Sequence, residues 1–234
     1  MYLAIDTSTE TASLAIIQEN RVLAELTWHC QQNHSVELMP NINRLLEQSG
    51  ASLKALSGVI VARGPGSFNG LRVGVSTAKS LAFSLGVPLA GISTLEAAAY
   101  QYAEVGFPVC PIFNAGRGEI AAAICQRKDN LWHQVIAEHI TTVDKLCSQI
   151  TTKTIFCGDV AVSLLEQIKE KLGRKAIIPP PASRLRRAAF LAEIGIKRLE
   201  AGDCDQPATL QPIYLRRPPI TKPKHGTPII KTKY

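Results

Sequence analysis

Short apolar runs at the start of the chain predict a sheet before any helix. Tyr2–Asp6 and Thr11–Gln18 are apolar enough for buried strands, and they are separated by the polar turn Thr7-Ser8-Thr9-Glu10. Residues Arg21 to Trp28 alternate between apolar and polar side chains, which is typical of a third strand. Because short turns join antiparallel neighbours, these runs predict a three-stranded meander at the N-terminus.

Helices and strands alternate after the meander. From His34 the apolar positions recur three and four residues apart, and Gly50 follows in the usual place for a helix C-terminal cap. The other elements predicted in this half are a strand at 59–62, a helix at 69–85, a strand at 89–92, and a helix at 95–103 that opens with the capping box Ser93-Thr94-Leu95-Glu96. This mixed order predicts a central sheet with helices on its faces.

A second and weaker set of elements follows Pro108 and partly echoes the first. Its predicted members are strands near 109–113, 119–126 and 131–140, a helix near 143–150, a strand at 154–157, and helices near 160–172 and 184–201. The pattern predicts an N-terminal unit over residues 1–106 and a smaller unit over residues 107–205. With 234 residues and 46% hydrophobic content, the chain is long enough for one large domain or two small ones.

The final stretch, residues 206–234, differs from the rest in charge and composition. It contains no Asp or Glu, and its basic residues account for six of the seven excess positive charges. These residues are Arg216, Arg217, Lys222, Lys224, Lys231 and Lys233. The same stretch is rich in proline, which favours an extended or disordered arm. Two interpretations remain open: a solubilising tail, and a nonspecific arm that neutralises RNA phosphates.

Composition and spacing argue against several other classes of protein. The opening residues Met1 to Asp6 lack the basic region of a secretory signal, and the longest uncharged run, 80–95, is too short for a membrane span. We therefore expect a cytoplasmic protein. The six cysteines include no CxxC pair, and the histidines show no metal-binding spacing. The sequence thus predicts neither a disulfide framework nor a metal site.

The predicted helix at 69–85 carries a ribbon of small residues. Gly70, Gly74, Ala78, Ala82 and Gly86 recur every four residues and stack along one side of the helix. This side can approach another backbone closely. Two interpretations follow: the ribbon lies against the protein's own sheet, which the residues alone favour, or it lies against a second protein chain.

The loop before this helix has the form of a phosphate-binding loop without its chemistry. Gly64-Pro65-Gly66-Ser67 follows an apolar strand, but Lys79 lies two turns inside the helix, where a Walker loop cannot use it. Asp6-Thr7-Ser8 could surround a phosphate and orient a metal-bound water, whereas a hydrogen-bonded turn uses the same residue types. Ser67 lacks a GxSxG elbow, so we expect it to cap the helix.

Four motifs together resemble the TsaB family, also called YeaZ. They are Asp6-Thr7-Ser8, His34-Ser35, the GPGSFNGLR run from Gly64 to Arg72, and Tyr214-Leu215-Arg216. The resemblance covers essentially the whole chain. It implies an α/β protein with the actin-like ATPase fold (ASKHA, ribonuclease H-like), built from two lobes of which the second is reduced.

The resemblance also implies a function and a set of partners. It implies a noncatalytic subunit, without catalytic residues of its own, that dimerises with TsaD in threonylcarbamoyl transfer to the tRNA adenosine next to the anticodon. Further implied partners are a TsaE-type ATPase, tRNA reached indirectly or through the basic tail, and a second copy of the chain when TsaD is absent, with no membrane involved. No cofactor is expected in this subunit, whereas ATP and a metal ion are expected in TsaD.

Two groups of candidate site residues follow from the resemblance. The partner interface is expected on the helices at 34–49 and 69–85, through His34, Leu38, Met39, Ile42, Leu45, Gly70, Leu71, Gly74, Val75, Ala78, Leu81 and Ala82. In that interface the small ribbon allows close approach of helices from two chains. A vestigial phosphate loop is expected at Asp6, Thr7, Ser8, Gly64, Gly66 and Ser67.

Three positions depart from the family pattern and bear on the alternative functions. Asn69 stands where many members have Thr, Asn114 where they have Asp, and Val160 where they have a second glycine. A neutral amide orients a hydrated metal poorly, so these changes weaken a nucleotide-binding role. The alternatives are an ATP-binding or ATP-hydrolysing enzyme of the actin-like class and, disfavoured because no serine, cysteine or metal constellation supports it, a peptidase.

Overall fold

The computed structural model describes residues 1–31, 33–129 and 131–216, and this part of the chain is built on two five-stranded sheets. The strands are β1 (Tyr2–Asp6), β2 (Thr11–Gln18), β3 (Arg21–His29), β4 (Gly58–Ala62), β5 (Leu89–Ile92), β6 (Val109–Gly116), β7 (Glu119–Lys128), β8 (Leu131–Thr141), β9 (Thr154–Cys157) and β10 (Ala176–Ile177). The α-helices are α1 (His34–Gln48), α2 (Phe68–Leu85), α3 (Thr94–Tyr100), α4 (Val143–Gln149), α5 (Val162–Leu172), α6 (Pro181–Arg184) and α7 (Ala188–Glu200).

The two sheets have the same topology. The strand order is β3-β2-β1-β4-β5 in the first sheet and β8-β7-β6-β9-β10 in the second. In each, the first strand in sequence pairs antiparallel with its successor and parallel with the strand that follows a helix. The second copy has the shorter helices and ends in a strand of two residues. The predicted echo between the two halves is therefore confirmed, with the second lobe reduced.

The first sheet is buried on both faces. Because side chains alternate along a strand, Leu3 and Ile5 of β1 pack against α1 and α2, whereas Ala4 points to the opposite face and packs against α7. The same alternation holds in β4, where Val59 and Ile60 lie on opposite faces. This two-sided burial explains why β1 and β4 are continuous apolar runs.

Helix α3 lies between the two lobes. Its Leu95 and Ala98 pack against Phe113 of β6 on the second sheet, and its Ala97 joins the cluster beneath the first sheet. The other face of the second sheet is covered by α4 and α5, for example by Leu146. The described residues thus form alternating layers of helix and sheet, with α3 and α7 in the central layer.

Most of the predicted elements are confirmed, and the main error lies before α7. The predicted helix at 184–201 begins only at Ala188, because Leu185 and Arg187 have extended backbone angles. This extended segment carries the buried side chain of Arg186 toward β1. The short elements α6 and β10 were not predicted, since four-residue and two-residue elements leave almost no periodic pattern.

The chain returns to the first lobe at its C-terminal end. Helix α7 packs on the first sheet, and the Ile213 backbone N–H donates to the Arg63 carbonyl oxygen at 2.6 Å. Lys79 Nζ donates to the Leu210 carbonyl oxygen at 3.0 Å. The division into residues 1–106, 107–205 and 206–234 stays a prediction, and α7 of its second unit lies against the first sheet. Within the tail, residues 217–234 lie outside the described residues.

The ribbon of small residues on α2 faces the protein's own first strand. A Cβ atom added at Gly70 would lie 2.1 Å from the Thr7 carbonyl oxygen, and one added at Gly74 would lie 2.2 Å from Thr7 Oγ1. Ala78 and Ala82 continue the ribbon into the core beneath the sheet. Of the two interpretations left open by the sequence, packing against the own sheet is the one observed.

This packing buries most of the residues predicted for the partner interface, which itself stays a prediction. The members buried inside this chain are His34, Leu38, Ile42, Leu45, Gly70, Leu71, Gly74, Val75, Ala78, Leu81 and Ala82. Only Met39 of the predicted set is exposed. The resemblance pointed to these two helices, but the apolar positions chosen on them were those that fill the core, because an apolar pattern does not say which surface it meets.

Among the described residues, no helix combines the length and the apolar character needed to cross a bilayer.

We expect Gly74→Ala to destabilise the fold. The new methyl group would overlap Thr7 Oγ1, and overpacking of this kind costs about 1–3 kcal/mol in the free energy of unfolding. Ser80→Ala, an exposed change on the same helix, is the control and should stay within about 0.5 kcal/mol. Urea unfolding of both variants measures the difference, and equal stabilities would show that α2 does not approach β1 so closely.

Candidate functional site

A cleft of about 610 Å³ opens between the two lobes. Its walls come from the turn after β1, the N-terminus of α2, the end of β6 and the loop after β9. Glu10 and Asp159 line it, together with His29, and no lysine or arginine lies among the described residues of its wall. The cleft therefore presents negative charge and neutral polar groups to a ligand.

A buried ion pair between Arg186 and Asp6 lies in the first lobe beside this cleft. The guanidinium of Arg186 donates from Nη1 to Asp6 Oδ2 at 2.5 Å and to Ser8 Oγ at 2.6 Å. Its Nη2 donates to Thr9 Oγ1 at 2.7 Å and to the Thr11 carbonyl oxygen at 2.8 Å. Arg186 is 6% exposed and Asp6 is 4% exposed. Four hydrogen bonds and one opposite charge thus hold this cation in place.

The second oxygen of Asp6 is also occupied. Ser8 donates to Asp6 Oδ1 from its backbone nitrogen at 2.9 Å and from its hydroxyl at 2.6 Å. This arrangement is the hydrogen-bonded turn that the sequence allowed as an alternative to a phosphate site. Both carboxylate oxygens therefore have partners within the chain.

The glycine-rich loop packs against that turn rather than against an open space. The Ser67 backbone N–H donates to the Ser8 carbonyl oxygen at 2.6 Å, and a Cβ on Gly66 would lie 2.2 Å from the same oxygen. Ser67 Oγ accepts from the Gly70 N–H at 3.3 Å and caps α2, as predicted. Gly64 is tied to Thr94 through its N–H and its carbonyl oxygen. The predicted phosphate-loop residues lie together, and the N–H groups of Gly64, Ser67 and Ser8 already have acceptors within the chain.

These contacts test whether a metal–nucleotide complex fits beside Asp6. A divalent ion needs free carboxylate oxygens, and both oxygens of Asp6 are used. Asn114, across the cleft, accepts the Gly116 N–H on its Oδ1 at 2.8 Å. Within the described part of the chain, no group of three or more His, Cys, Asp or Glu side chains could hold a metal ion. The residues present do not fit such a complex at this position.

His34 has a structural position at the start of α1. Its Nε2 lies 2.8 Å from the Thr9 carbonyl oxygen and 3.1 Å from Cys30 Sγ. The ring also lies close to Gly70. His34 therefore joins α1 to the turn after β1 and to α2, and it is 3% exposed.

Arg186 is the residue of this site that sequence analysis missed. It lies 180 positions from Asp6 in the sequence, so no local spacing connects them. One signal was available: Arg186 and Arg187 stand just before a helix, where the helix dipole disfavours positive charge unless other groups hold it. Arg187 is in fact paired with Glu25 at 2.5 Å.

Residues from two of the family-like motifs meet beside the cleft. The rings of Phe68 and Tyr214 have centroids 5.0 Å apart, and the guanidinium of Arg72 lies 4.2 Å from the centre of the Phe68 ring. Arg216 forms an ion pair with Glu119 of β7. The segment 214–216 thus contacts both the start of α2 and the second lobe.

A second cavity of about 480 Å³ lies on another side of the lobe junction. Glu96 of α3 and Glu138 of β8 line it, near Arg63. Burial raises the pKa of Glu138, and the Ser93 hydroxyl, which donates to Glu138 Oε1, and the charge of Arg63 counteract part of this shift. Burial also raises the pKa of Glu96, and the neighbouring Glu138 carboxylate raises it further.

The repeated sheets and the cleft between them define the class, which is the actin-like ATPase fold. A family model described as TsaD, tRNA N6-adenosine threonylcarbamoyltransferase, matches residues 25–195. The tRNA threonylcarbamoyladenosine biosynthesis protein TsaB of Bacillus subtilis (strain 168) is 35% identical over 217 residues, which are 92% of this chain and 93% of that protein. The TsaB protein of Haemophilus influenzae is 29% identical, with 92% of each chain covered. The chain belongs to the TsaB family.

Solved structures agree with this fold. A Pseudomonas aeruginosa protein, described as uncharacterized with similarity to peptidase YEAZ, superposes with a TM-score of 0.78 at 23% identity, covering 92% of this chain and 99% of that one. Component A of (R)-2-hydroxyglutaryl-CoA dehydratase from Acidaminococcus fermentans superposes with a TM-score of 0.51 at 11% identity, covering 85% and 98%. At these identities the likeness concerns the fold alone.

We expect Glu138→Gln to stabilise the protein at neutral pH and not in acid. A raised pKa in the folded state means that this carboxyl favours folding at low pH and loses that contribution as the pH rises through the folded value. Gln removes the buried charge and keeps an acceptor for Ser93. The gain in melting temperature at neutral pH should therefore vanish near pH 4, about the ordinary carboxyl pKa.

The matched control is Glu200→Gln, an exposed change at the end of α7. It should leave the melting temperature nearly unchanged at both pH values. A gain for Glu138→Gln that is equal at neutral and acid pH would show that charge burial is not its cause.

Proposed function

We propose that this protein is a noncatalytic subunit that binds TsaD and supports threonylcarbamoyl transfer to the tRNA adenosine next to the anticodon. The observation that carries the proposal is an exposed apolar surface on α1 and α2, on the side of these helices that faces away from the first sheet. We call this surface the outer helical face and define it by Val36, Met39, Ser76, Ser80 and Phe83.

The outer helical face exposes large apolar side chains that the fold itself does not need. Phe83 is 82% exposed, Val36 is 71% exposed and Met39 is 37% exposed. In contrast, the opposite sides of α1 and α2 fill the core beneath the sheet. Exposed apolar side chains on the outer side of paired helices can contribute to a protein–protein interface.

The shape of this face suits another pair of helices. Ser76 and Ser80 are exposed one turn apart on α2, and their small side chains leave room for an approaching helix. Phe83 projects at the end of the same row, where it can act as an anchor. We therefore propose that a partner helix approaches the exposed side of α2, opposite the ribbon of small residues.

Family membership supports TsaD as the partner. The relatives named above are tRNA threonylcarbamoyladenosine biosynthesis proteins, and the family model that matches this chain carries the TsaD description. A subunit whose fold resembles that of its partner can pair with it across a pseudo-two-fold axis, and with a second copy of itself when the partner is absent. A TsaE-type ATPase and tRNA complete the proposed assembly, with ATP and a metal ion held by TsaD.

The two alternative functions find less support in the site. An ATP-using enzyme of this class would need Asp6 for a metal-bound nucleotide, and Asp6 is paired with Arg186. A cysteine peptidase would need an accessible thiol beside a histidine. Cys30 lies 3.1 Å from His34 Nε2, but it is 1% exposed, so a substrate cannot reach its sulfur.

We expect Phe83→Asp and Val36→Asp each to weaken binding to TsaD by about tenfold or more. Burying such a side chain is worth roughly 1.5–3 kcal/mol, and a charge in its place would be desolvated without a partner. Light scattering coupled to size-exclusion chromatography, on the chain alone and mixed with TsaD, measures complex formation. Because both residues are exposed, the variants should keep the wild-type melting temperature.

Val162→Asp is the matched control, since Val162 is an apolar residue 62% exposed at the start of α5 on the second lobe. It should bind TsaD as the wild type does. If Phe83→Asp and Val36→Asp bind TsaD with unchanged affinity, the interface lies elsewhere on the chain.

We expect deletion of residues 218–234 to weaken tRNA binding to the complex only modestly and to reduce its salt dependence. Removing one Lys–phosphate interaction lowers the log–log salt slope by about 0.7–0.9. A full-length variant with Lys222, Lys224, Lys231 and Lys233 replaced by Gln separates charge from length and should behave like the deletion. An unchanged salt slope in filter-binding assays would show that the lysines of the tail do not contact tRNA phosphates.

A further inference from the structure

We propose that Arg186 is a built-in cation that takes the place of a metal–nucleotide complex beside Asp6 and makes the cleft of this subunit insensitive to nucleotides. The proposal goes beyond the partner role, and it holds whether or not the outer helical face binds TsaD. It assigns a specific task to a residue that lies outside all the motifs by which the family is recognised.

Arg186 contacts the groups that a metal ion would use at this turn. A metal ion at this turn would be expected to draw on the Asp6 carboxylate and on the hydroxyls that follow β1. Arg186 uses the same groups, since its two terminal nitrogens contact Asp6, Ser8 and Thr9. The guanidinium supplies the positive charge, so a second cation would meet like charge and two carboxylate oxygens that already accept hydrogen bonds.

The backbone on both sides of Arg186 is held in place. The extended residues on either side of it are followed by α7, which is buried beneath the first sheet. The Ala188 backbone N–H donates to Ser13 Oγ on β2 at 2.9 Å, which fixes the start of that helix. The guanidinium carbon also lies 5.5 Å from the centre of the Phe113 ring on β6. Both lobes therefore hold this side chain in position.

The remaining wall of the cleft is acidic. Its charged side chains are Glu10 and Asp159, and no described lysine or arginine in the wall could pair with phosphates. In the glycine-rich loop, the Ser67 N–H is bonded to Ser8 and the Gly70 N–H to Ser67. A nucleotide phosphate would thus meet negative charge where other sites of this kind offer cations.

The test uses the full-length chain and three probes: Mg²⁺ with ATP, Mn²⁺ alone, and Mn²⁺ with ATP. Isothermal titration of the wild type should give no saturable heat with Mg²⁺ and ATP up to millimolar concentrations. Arg186→Met frees Asp6 while keeping the length of the aliphatic stem. We expect its melting temperature to rise with Mn²⁺, whereas that of the wild type stays constant.

Two further variants make the result specific. Arg187→Met removes the adjacent arginine, whose ion pair with Glu25 is half exposed, and it should respond to Mn²⁺ as the wild type does. The double variant Asp6→Asn/Arg186→Met removes both buried charges together and should lose the Mn²⁺ response of the single variant. A Mn²⁺ response that persists in the double variant would place the ion elsewhere and overturn the proposal.

If Arg186→Met does not fold, the wild type still decides the question. Mn²⁺ broadens the NMR signals of nearby amides, and we expect no selective broadening at Ser8 or Thr9 in the wild type. Selective broadening there, or saturable binding of Mg²⁺ and ATP that Asp6→Asn abolishes, would overturn the proposal. The partner-binding assays with TsaD do not enter this test, so the two proposals can fail separately.

Discussion

The close approach of α2 to the turn after β1 is the constraint on which the rest of the structure depends. The backbone of α2 lies so near Thr7 that neither Gly70 nor Gly74 has room for a side chain. Thr7 Oγ1 donates to the Gly70 carbonyl oxygen at 2.7 Å and fixes the register of the contact. This contact sets the position of the glycine-rich loop, the edge of the cleft and, indirectly, which side of α2 faces solvent.

The inner and outer sides of the same two helices therefore serve different purposes. Close packing inside uses the glycines, alanines and branched apolar residues, and it leaves Phe83 and Val36 outside without a role in the fold. The proposal of a protein partner gives these exposed apolar side chains a role. The proposed TsaD surface is thus a consequence of how tightly α2 is held from within.

The buried pair of Asp6 and Arg186 has a similar double effect. It is a stabilising contact only because four hydrogen bonds accompany the charge, since a buried charge without partners would be strongly unfavourable. At the same time it occupies the carboxylate and hydroxyl groups with which an actin-like fold would bind a metal ion and a nucleotide. A cleft can therefore persist as an architectural feature while its chemistry has been replaced by an internal contact. Loss of a nucleotide response would suit a subunit that offers a fixed surface to a partner.

The sequence by itself determined the elements, the repeated order of strands and helices, and the family. These are local properties: the apolar runs of β1 and β2, capping at Ser67 and Ser93, and the contiguous GPGSFNGLR run are all readable within a short window. Only the tertiary structure decided which side of α2 is buried, because a ribbon of small residues can pack against a sheet or against a partner helix. Only it could join Arg186 to Asp6, because that pairing depends on where the fold returns α7 to the first sheet and leaves no trace in local spacing.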